Sequence, residues 1–385
     1  MLADRILAVE RSPFYSIMDL AAGRKDCIYL QLGEPDFTTP AHILEAAKKA
    51  LDAGYTHYAP DRGDPELRQL VAEKIEKDQG AQYDWRDELL ITAGGQAALH
   101  IAVMATVNPG DEVIILVPYY PPYLVNATLA GAKAVLVELK SENDFIPDPA
   151  DIERAVTPKT KAMIVLSPNN PTGAIYPEDV LGKIVEIARK HNVTIIADEV
   201  YDSFVYSDDK YKSMVSFPDA KDVVVQVNSF SKVYAMTGLR VGYLAASKER
   251  FLQFLKYHHT INISANAPSQ RACITALTGP QDCVAEMKEA YRRRRDITVE
   301  RLNDIPGVHC FMPKGAFYAF ADIRELGIPS LDLVQYLVNE AGVVLTNGSG
   351  FGCEGFIRVS YAADIAKIEE AMDRMKKAII RMPVK

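Results

Sequence analysis

The chain has 385 residues, of which 48% are hydrophobic and 24% charged, a composition typical of globular proteins. This length is too great for one typical core, so we expect a large domain of roughly two hundred residues or more and a smaller one. The net charge of -8 argues against nucleic acid or an anionic membrane as a partner.

The cysteines predict neither disulfide bonds nor a metal site. They number five, an odd count, and no two of them form a Cys-x-x-Cys pair. The segment from Met1 to Ile6 carries charges where a signal peptide needs an apolar run, and no stretch reaches the length of a membrane span. We therefore expect a cytoplasmic protein without a metal.

The N-terminal part of the chain predicts an arm followed by short elements. Residues 4–24 form an amphipathic pattern that is broken at Ser12 and Pro13. A short strand then runs into a turn at Gly33, where glycine permits close approach of the backbone to a ligand, although the motif taken alone favours an ordinary turn. The helices predicted next are 40–53 and 66–77.

From residue 89 onward, strands alternate with helices, which predicts a parallel sheet with helical crossovers. The strand over 89–92 leads through Gly94, Gly95 and Gln96 into a helix. Two glycines before a helix N-terminus predict a phosphate cradle of backbone N–H groups, although the G-x-G-x-x-G dinucleotide motif is absent. After the next strand, over 113–117, Tyr120 could stack on a flat ring or simply pack.

Two loops further along the sheet carry polar side chains. The loop from Ser167 to Gly173 holds two X-Pro bonds, so we expect a cis peptide there. The apolar strand over 194–198 ends in Asp198, in the position where open α/β sheets bind ligands, and Tyr201 follows three residues later. A helix N-cap is an equally compatible role for Asp198.

A lysine in a polar loop is the strongest chemical signal in the chain. Lys232 lies in a predicted loop between strands 222–227 and 241–246, with Ser229, Ser231 and Arg240 close in sequence. Desolvation and a cationic neighbour give a lysine amine that attacks carbonyls, while hydroxyls and arginine bind phosphate. Together they point to pyridoxal phosphate, whereas the lysine considered alone would be a surface residue.

The C-terminal part predicts a smaller α+β domain. A long helix over 281–303 precedes short strands and two further helices. One of these strands, Phe356 to Tyr361, contains a single cation, Arg358, and an exposed strand position does not explain it.

These motifs occur in the order found in one family. The chain resembles the class I and II pyridoxal-phosphate aminotransferases of fold type I over nearly its whole length. The resemblance implies an α/β fold in which a mostly parallel seven-stranded sheet lies between helices, with a smaller α+β domain beside it. It also implies an N-terminal arm with part of the small domain, a large cofactor domain and a small C-terminal domain, over 1–45, 46–280 and 281–385. The motifs are Leu32-Gly33-Glu34-Pro35-Asp36, Tyr58, Gly94-Gly95, Asn169-Asn170-Pro171-Thr172-Gly173, Asp198-Glu199-Val200-Tyr201, Ser229-Phe230-Ser231-Lys232, Arg240 and Arg358.

The resemblance implies a role for each cofactor residue. Lys232 would hold pyridoxal 5′-phosphate covalently and move the proton as general base and acid. Asp198 would pair with the pyridine nitrogen. Asn170 and Tyr201 would bind the ring hydroxyl, and Tyr120 would stack on the ring. The phosphate ligands would be Gly94, Gly95, Gln96, Ser229, Ser231, Arg240 and Tyr58.

The resemblance also implies how substrates bind. Arg358 would hold the substrate α-carboxylate, helped by Gly33 and Asn170. Tyr58 would reach the partner's cofactor in a homodimer. Some relatives have lysine where this chain has Gln96, which disfavours dicarboxylate substrates. The candidates for the side-chain pocket are Tyr15, Ile17 and Phe351, although packing in the core is the favoured role of each.

The expected activity is amino transfer between an L-amino acid and a 2-oxo acid by a ping-pong mechanism. A carbon–sulfur β-lyase on the same scaffold is the alternative, because a β-substituent can leave instead. A regulator that binds the cofactor without turnover is a third hypothesis, and the intact pair of Lys232 and Asp198 argues against it.

Overall fold

A computed structural model describes residues 2–9, 13–24, 26–206 and 211–382. In chain order, its helices are α1 (Asp4–Leu7), α2 (Pro13–Ala21), α3 (Ala41–Asp52), α4 (Pro65–Gln79), α5 (Gly95–Thr106), α6 (Pro122–Leu129), α7 (Pro149–Ala155), α8 (Glu178–His191), α9 (Phe230–Val233), α10 (Lys248–Asn262), α11 (Ala267–Thr278), α12 (Asp282–Asn303), α13 (Ser330–Ala341) and α14 (Ile365–Arg381). The strands are β1 (Ile28–Tyr29), β2 (Leu89–Thr92), β3 (Glu112–Val117), β4 (Lys133–Glu138), β5 (Thr160–Leu166), β6 (Thr194–Asp198), β7 (Val224–Ser229), β8 (Gly242–Ala245), β9 (His309–Cys310), β10 (Tyr318–Asp322), β11 (Val343–Val344), β12 (Thr346–Asn347) and β13 (Phe356–Ser360).

The main sheet has seven strands in the order β2-β8-β7-β6-β5-β3-β4. β8 is antiparallel to both β2 and β7, and the other neighbours are parallel. Successive residues of β3 pack on opposite faces, with Val113 and Ile115 in one core and Ile114 and Leu116 in the other. Burial of both faces is why these strands read as continuous apolar runs. The mostly parallel seven-stranded sheet is confirmed.

A second group of strands lies in the C-terminal part of the chain. Strands β12, β13, β10 and β9 form an antiparallel sheet in that order. β1 pairs in parallel with β11, so the segment after the N-terminal arm joins the C-terminal strands. This confirms the smaller α+β unit. The domain division after residues 45 and 280 stays a proposal, which the pairing of β1 with β11 supports.

The structure corrects two local predictions. Lys232 does not lie in an irregular loop but in the one-turn helix α9, because Ser229 Oγ accepts a hydrogen bond from the Ser231 N–H and caps that turn. Asp198 ends β6 and no helix begins there, so its interpretation as an N-cap is wrong. The arm predicted over 4–24 contains α1 and α2, and its predicted break at Ser12 lies outside the described residues.

Within the described ranges, no helix is both long and apolar enough to span a membrane. The same ranges contain no group of three or more His, Cys, Asp or Glu side chains arranged to hold a metal ion. All five cysteines are free thiols.

Candidate active site

A cavity of about 880 Å³ opens where strands β5, β6 and β7 end. The side chains around it come from both sheets, since Asp198 follows the main sheet and Arg358 lies on β13. The sequence-predicted residues that line it are Gly33, Gly95, Gln96, Tyr120, Asn170, Asp198, Tyr201, Ser229, Ser231, Lys232, Arg240 and Arg358.

Lys232 projects from α9 into this cavity, and its Nζ donates a hydrogen bond to the Gly33 carbonyl at 2.5 Å. Burial is the main cause that lowers the pKa of Lys232 to about 8; the charge of Glu34 opposes this shift, and the charges of Arg240 and Arg358 contribute to it. A lysine with this pKa carries a substantial fraction of neutral amine near neutral pH. It is therefore able to act as a nucleophile toward an aldehyde and as a base.

Asp198 is the buried acid of the cavity. Its Oδ2 accepts a hydrogen bond from the Tyr123 hydroxyl at 2.8 Å. Burial raises the pKa of Asp198 to about 6, and the hydrogen bond from Tyr123 opposes this shift. Above pH 6 the carboxylate is mostly ionised, which is the state that can hold a protonated ring nitrogen.

The phosphate cradle is built where α5 begins. Gly94 has φ +84°, and a Cβ there would lie 2.2 Å from the Arg240 guanidinium, so only glycine fits at this point. Beside it, the Ser229 hydroxyl donates to Ser231 Oγ at 2.8 Å, and Arg240 Nη1 lies 3.5 Å from the same Ser231 oxygen. The helix N-terminus, two hydroxyls and a guanidinium together suit a phosphate.

The ring-binding candidates flank the cavity. The Tyr201 hydroxyl forms a hydrogen bond with that of Tyr318 at 2.8 Å, and burial raises the pKa of Tyr201 well above its ordinary value. Tyr120 lies on the cavity wall. The expectation of a cis peptide in the 167–173 loop is confirmed at both Ser167–Pro168 and Asn170–Pro171.

Arg358 is buried, with 6% of its surface exposed, yet its guanidinium is only partly satisfied. Nη1 donates to Asn170 Oδ1 at 2.9 Å and Nη2 to the Gln31 carbonyl at 2.5 Å, whereas Nε has no hydrogen-bond partner among the described residues. The Tyr318 ring lies 4.5 Å from the guanidinium carbon. A buried N–H without a partner is costly, so a carboxylate ligand fits this place.

Three sequence-predicted residues are not among those that line the cavity, namely Gly94, Tyr58 and Ile17. Tyr58 is 79% exposed and borders a smaller cavity of about 270 Å³ instead. Ile17 is fully buried in the core, which is the role that sequence reasoning favoured for it, whereas Tyr15 and Phe351 do line the cavity.

Sequence reasoning missed several partners within the site. Tyr123 is the partner of Asp198, Tyr318 contacts both Tyr201 and Arg358, and the Gln31 carbonyl accepts from Arg358. A signal existed for Tyr123, which lies three residues after Tyr120 in the same aromatic motif, and the two rings contact each other with centroids 5.6 Å apart. Nothing local marks Gln31, because its contribution is a backbone carbonyl.

Comparison with known proteins identifies the family. The family model described as aminotransferase class I and II matches residues 25–375. The chain belongs to this family. An aspartate aminotransferase of Pyrococcus abyssi is 40% identical, with 98% of each chain covered. The aromatic-amino-acid aminotransferase 2 of Thermococcus litoralis is also 40% identical, again over 98% of each chain. A solved aspartate aminotransferase from Thermus thermophilus with maleate has a TM-score of 0.94 at 36% identity, covering 98% of this chain and 99% of that one.

The fold is therefore that of a fold type I aminotransferase, and the cofactor of this aminotransferase is pyridoxal 5′-phosphate. The donor set of the cavity fits that cofactor, because it offers a phosphate cradle, a buried acid for the ring nitrogen and a lysine for the aldehyde. The relatives are named for transamination, which supports amino transfer rather than the β-lyase alternative.

Proposed function

We propose that the enzyme moves the amino group of an L-amino acid to a 2-oxo acid by a ping-pong mechanism, with Lys232 as the catalytic residue and Arg358 as the carboxylate anchor. One observation carries the assignment of these two roles. Lys232 Nζ donates to the Gly33 carbonyl, and Arg358 Nη2 donates to the Gln31 carbonyl two residues away. The segment from Gln31 to Gly33 thus binds both side chains and fixes the position of the proposed base relative to the proposed anchor in one cavity.

Each polar side chain then has a defined task. Bound pyridoxal phosphate accepts electron density when the substrate α-carbon loses its proton. Arg358 orients the substrate through its α-carboxylate, and Lys232 takes the α-proton and returns it. A pKa of about 8 for Lys232 suits both directions of this transfer near neutral pH. Asp198 keeps the ring nitrogen protonated by its negative charge.

The remaining sequence-predicted residues complete the binding site. Asn170 and Tyr201 would hold the ring hydroxyl, and Tyr120 would cover one ring face. Cavity positions of all three support these roles. The proposed phosphate ligands are Gly94, Gly95, Gln96, Ser229, Ser231, Arg240 and the partner chain's copy of Tyr58.

The cavity wall supports substrates with apolar or aromatic side chains. Among the described residues that line it, the cationic ones are Lys232, Arg240 and Arg358, and all three already have roles. Gln96 is neutral, and the outer wall is mostly apolar. Its apolar lining residues include Ile6, Val9, Tyr15, Leu32, Val125, Leu129 and Phe351.

A panel of amino donors tests this function. Single-turnover half-reactions with phenylalanine, leucine, methionine, aspartate and glutamate, followed by the cofactor absorbance, compare donors without needing an acceptor. We expect the apolar and aromatic donors to have the larger ratios of rate constant to dissociation constant. A preference for aspartate would contradict the substrate class. Pyruvate and ammonia from cysteine or cystathionine, without amino transfer, would contradict transamination itself.

Arg358→Ala is expected to weaken the binding of amino acids and 2-oxo acids alike by roughly 2–5 kcal/mol, because the partner carboxylate then enters a buried site unpaired. Arg358→Lys is the matched control, since it keeps the charge but loses the bidentate fork. Titration with a non-reactive carboxylate inhibitor measures the effect. Unchanged inhibitor affinity in the Ala variant would exclude the anchor role.

We also propose a homodimer in which Tyr58 serves the neighbouring site. Tyr58 is 79% exposed in the single chain and lies outside its own cavity, although the cradle there is otherwise complete. A two-fold axis would make the contact reciprocal. A cytoplasmic location belongs to the same proposal and is supported by five unpaired cysteines.

Mixing two variants tests the shared site. Tyr58→Phe and Lys232→Ala, each impaired alone, are expected to regain activity when mixed, because one site of the heterodimer carries neither lesion. Tagged pull-down must first demonstrate subunit exchange. A mixture of Arg358→Ala with Lys232→Ala is the control that should not regain activity, because both residues line the same chain's cavity and each site of the heterodimer then carries one lesion. Subunit exchange without any gain in the Tyr58 mixture, or a gain that the control mixture matches, would contradict the role of Tyr58.

A further inference from the structure

We propose that Tyr123 is a positioning residue that sets the ionisation of Asp198 and, through it, the grip on the cofactor ring. This inference rests on the proposed role of Asp198 and adds a residue that sequence reasoning did not assign. Tyr123 is 2% exposed, and its hydroxyl donates to Asp198 Oδ2 at 2.8 Å.

The position of the Tyr123 hydroxyl decides what it can do. It occupies one carboxylate oxygen of Asp198, while the other accepts the Val200 N–H at the longer distance of 3.4 Å. The side chain of Asp198 therefore has a fixed rotation and keeps lone pairs for a ligand in the cavity. A hydroxyl donor stabilises the anion in a buried place where water is scarce.

The helix that carries Tyr123 is anchored on both sides. One turn further along α6, Asn126 Nδ2 donates to the Pro122 carbonyl at 2.7 Å, so its Oδ1 faces His100 Nδ1 at 2.6 Å as an acceptor. His100 Nδ1 then carries the proton, and Nε2 accepts from the Tyr257 hydroxyl at 3.0 Å. These contacts tie α6 to α5 and α10 and hold Tyr123 in place.

The expected consequence is a pH effect. Cofactor binding is stronger when Asp198 is ionised, so affinity falls as the pH drops through the pKa of that carboxyl group. Loss of the Tyr123 hydroxyl removes a donor to the anion and raises this pKa, so the loss of affinity begins at higher pH, by about one unit. At pH 8.5, where Asp198 is ionised in both proteins, the affinities converge.

The test uses pyridoxamine 5′-phosphate, which cannot condense with Lys232, and measures its dissociation constant in the full-length protein from pH 5 to 8.5. The variants are Tyr123→Phe, Asp198→Asn and the double variant, with Tyr176→Phe as control. Tyr176 is an equally buried tyrosine whose hydroxyl accepts from Asn169 Nδ2 at 3.2 Å outside the cavity. The ionisable groups of pyridoxamine 5′-phosphate itself are the same with wild type and every variant, so their titration does not contribute to the differences between the proteins.

We expect the inflection in the plot of dissociation constant against pH to move to higher pH in Tyr123→Phe and to stay in place in Tyr176→Phe. In Asp198→Asn the inflection should vanish, and adding Tyr123→Phe to that variant should not change the dissociation constant. Equal weakening at every pH, or a loss that persists in the Asp198→Asn background, would make Tyr123 a packing residue and overturn the proposal. If Tyr123→Phe alone does not fold, the comparison of Asp198→Asn with the double variant still tests the proposal, because the double variant leaves no buried carboxylate unpaired. A wild-type inflection in Asp198→Asn would instead contradict the role of Asp198.

Discussion

Replacing Lys232 by alanine is expected to slow amino transfer by about 10⁴-fold or more, because one change removes both the attachment point of the cofactor and the proton carrier. The lysine is well suited to both tasks, since burial lowers its pKa to about 8. Rapid mixing of a cofactor-loaded variant with one amino donor measures the half-reaction directly. A rate within tenfold of wild type would exclude the catalytic role.

Two controls sharpen the Lys232 experiment. Lys232→Arg keeps a cation but supplies no neutral amine, so it should be as inactive as the alanine variant. Small primary amines in solution should partly restore proton transfer only in the alanine variant, which leaves room for them.

In wild-type protein, borohydride should fix the cofactor to a peptide that spans residues 229–240. Label on any other peptide would contradict the assignment.

Asp198→Ala is expected to leave cofactor bound at saturating concentration through the phosphate cradle, yet to reduce turnover by roughly 10²- to 10³-fold or more. Without the carboxylate, nothing in the cavity balances a positive ring nitrogen, and a neutral ring accepts less charge from the substrate. Dialysis followed by absorbance measures retention, and the half-reaction measures the chemical step.

The neighbouring residue provides a matched control for Asp198. Glu199 is also buried, and burial raises its pKa to about 7, but its carboxylate accepts from Ser213 and Gln226 and does not line the cavity. Glu199→Gln should therefore keep turnover within a few-fold of wild type. Similar losses in both variants would show that loss of any buried charge, rather than the cofactor contact, explains the defect.

Apolar runs and their alternation with helical segments were enough to predict the strands of the main sheet from the sequence. The buried runs of β3, β5 and β6 are apolar because both faces of each strand are covered, and alternation with helices follows from parallel pairing. The short helix α9 was missed, because a capped single turn has no periodicity to detect. Its cap, Ser229, was instead interpreted only as a phosphate ligand.

Long-range contacts explain what the sequence could not reveal about the site. The Gln31 carbonyl and Arg358 are 327 positions apart, and Tyr201 and Tyr318 are 117 apart. No pattern in either segment encodes such a pairing, so the residues by themselves marked Arg358 only as an unexplained cation in an apolar strand, and its anchor role came from the family resemblance. Tyr123 was close to a recognised motif, but its hydroxyl could be aimed at Asp198 only after β3 and β6 had been placed in one sheet.

The order of the elements along the chain has a consequence for synthesis on the ribosome. The proposed phosphate cradle, from Gly94 to Arg240, and Lys232 all precede the end of β8 at Ala245. Arg358 and the strand β11 that pairs with β1 are made only afterwards. A growing chain that has released β8 from the exit tunnel thus has every intrachain phosphate ligand, but no anchor for a substrate. Capture of the cofactor can precede competence for amino acids, so a stalled chain would hold the cofactor without consuming substrate.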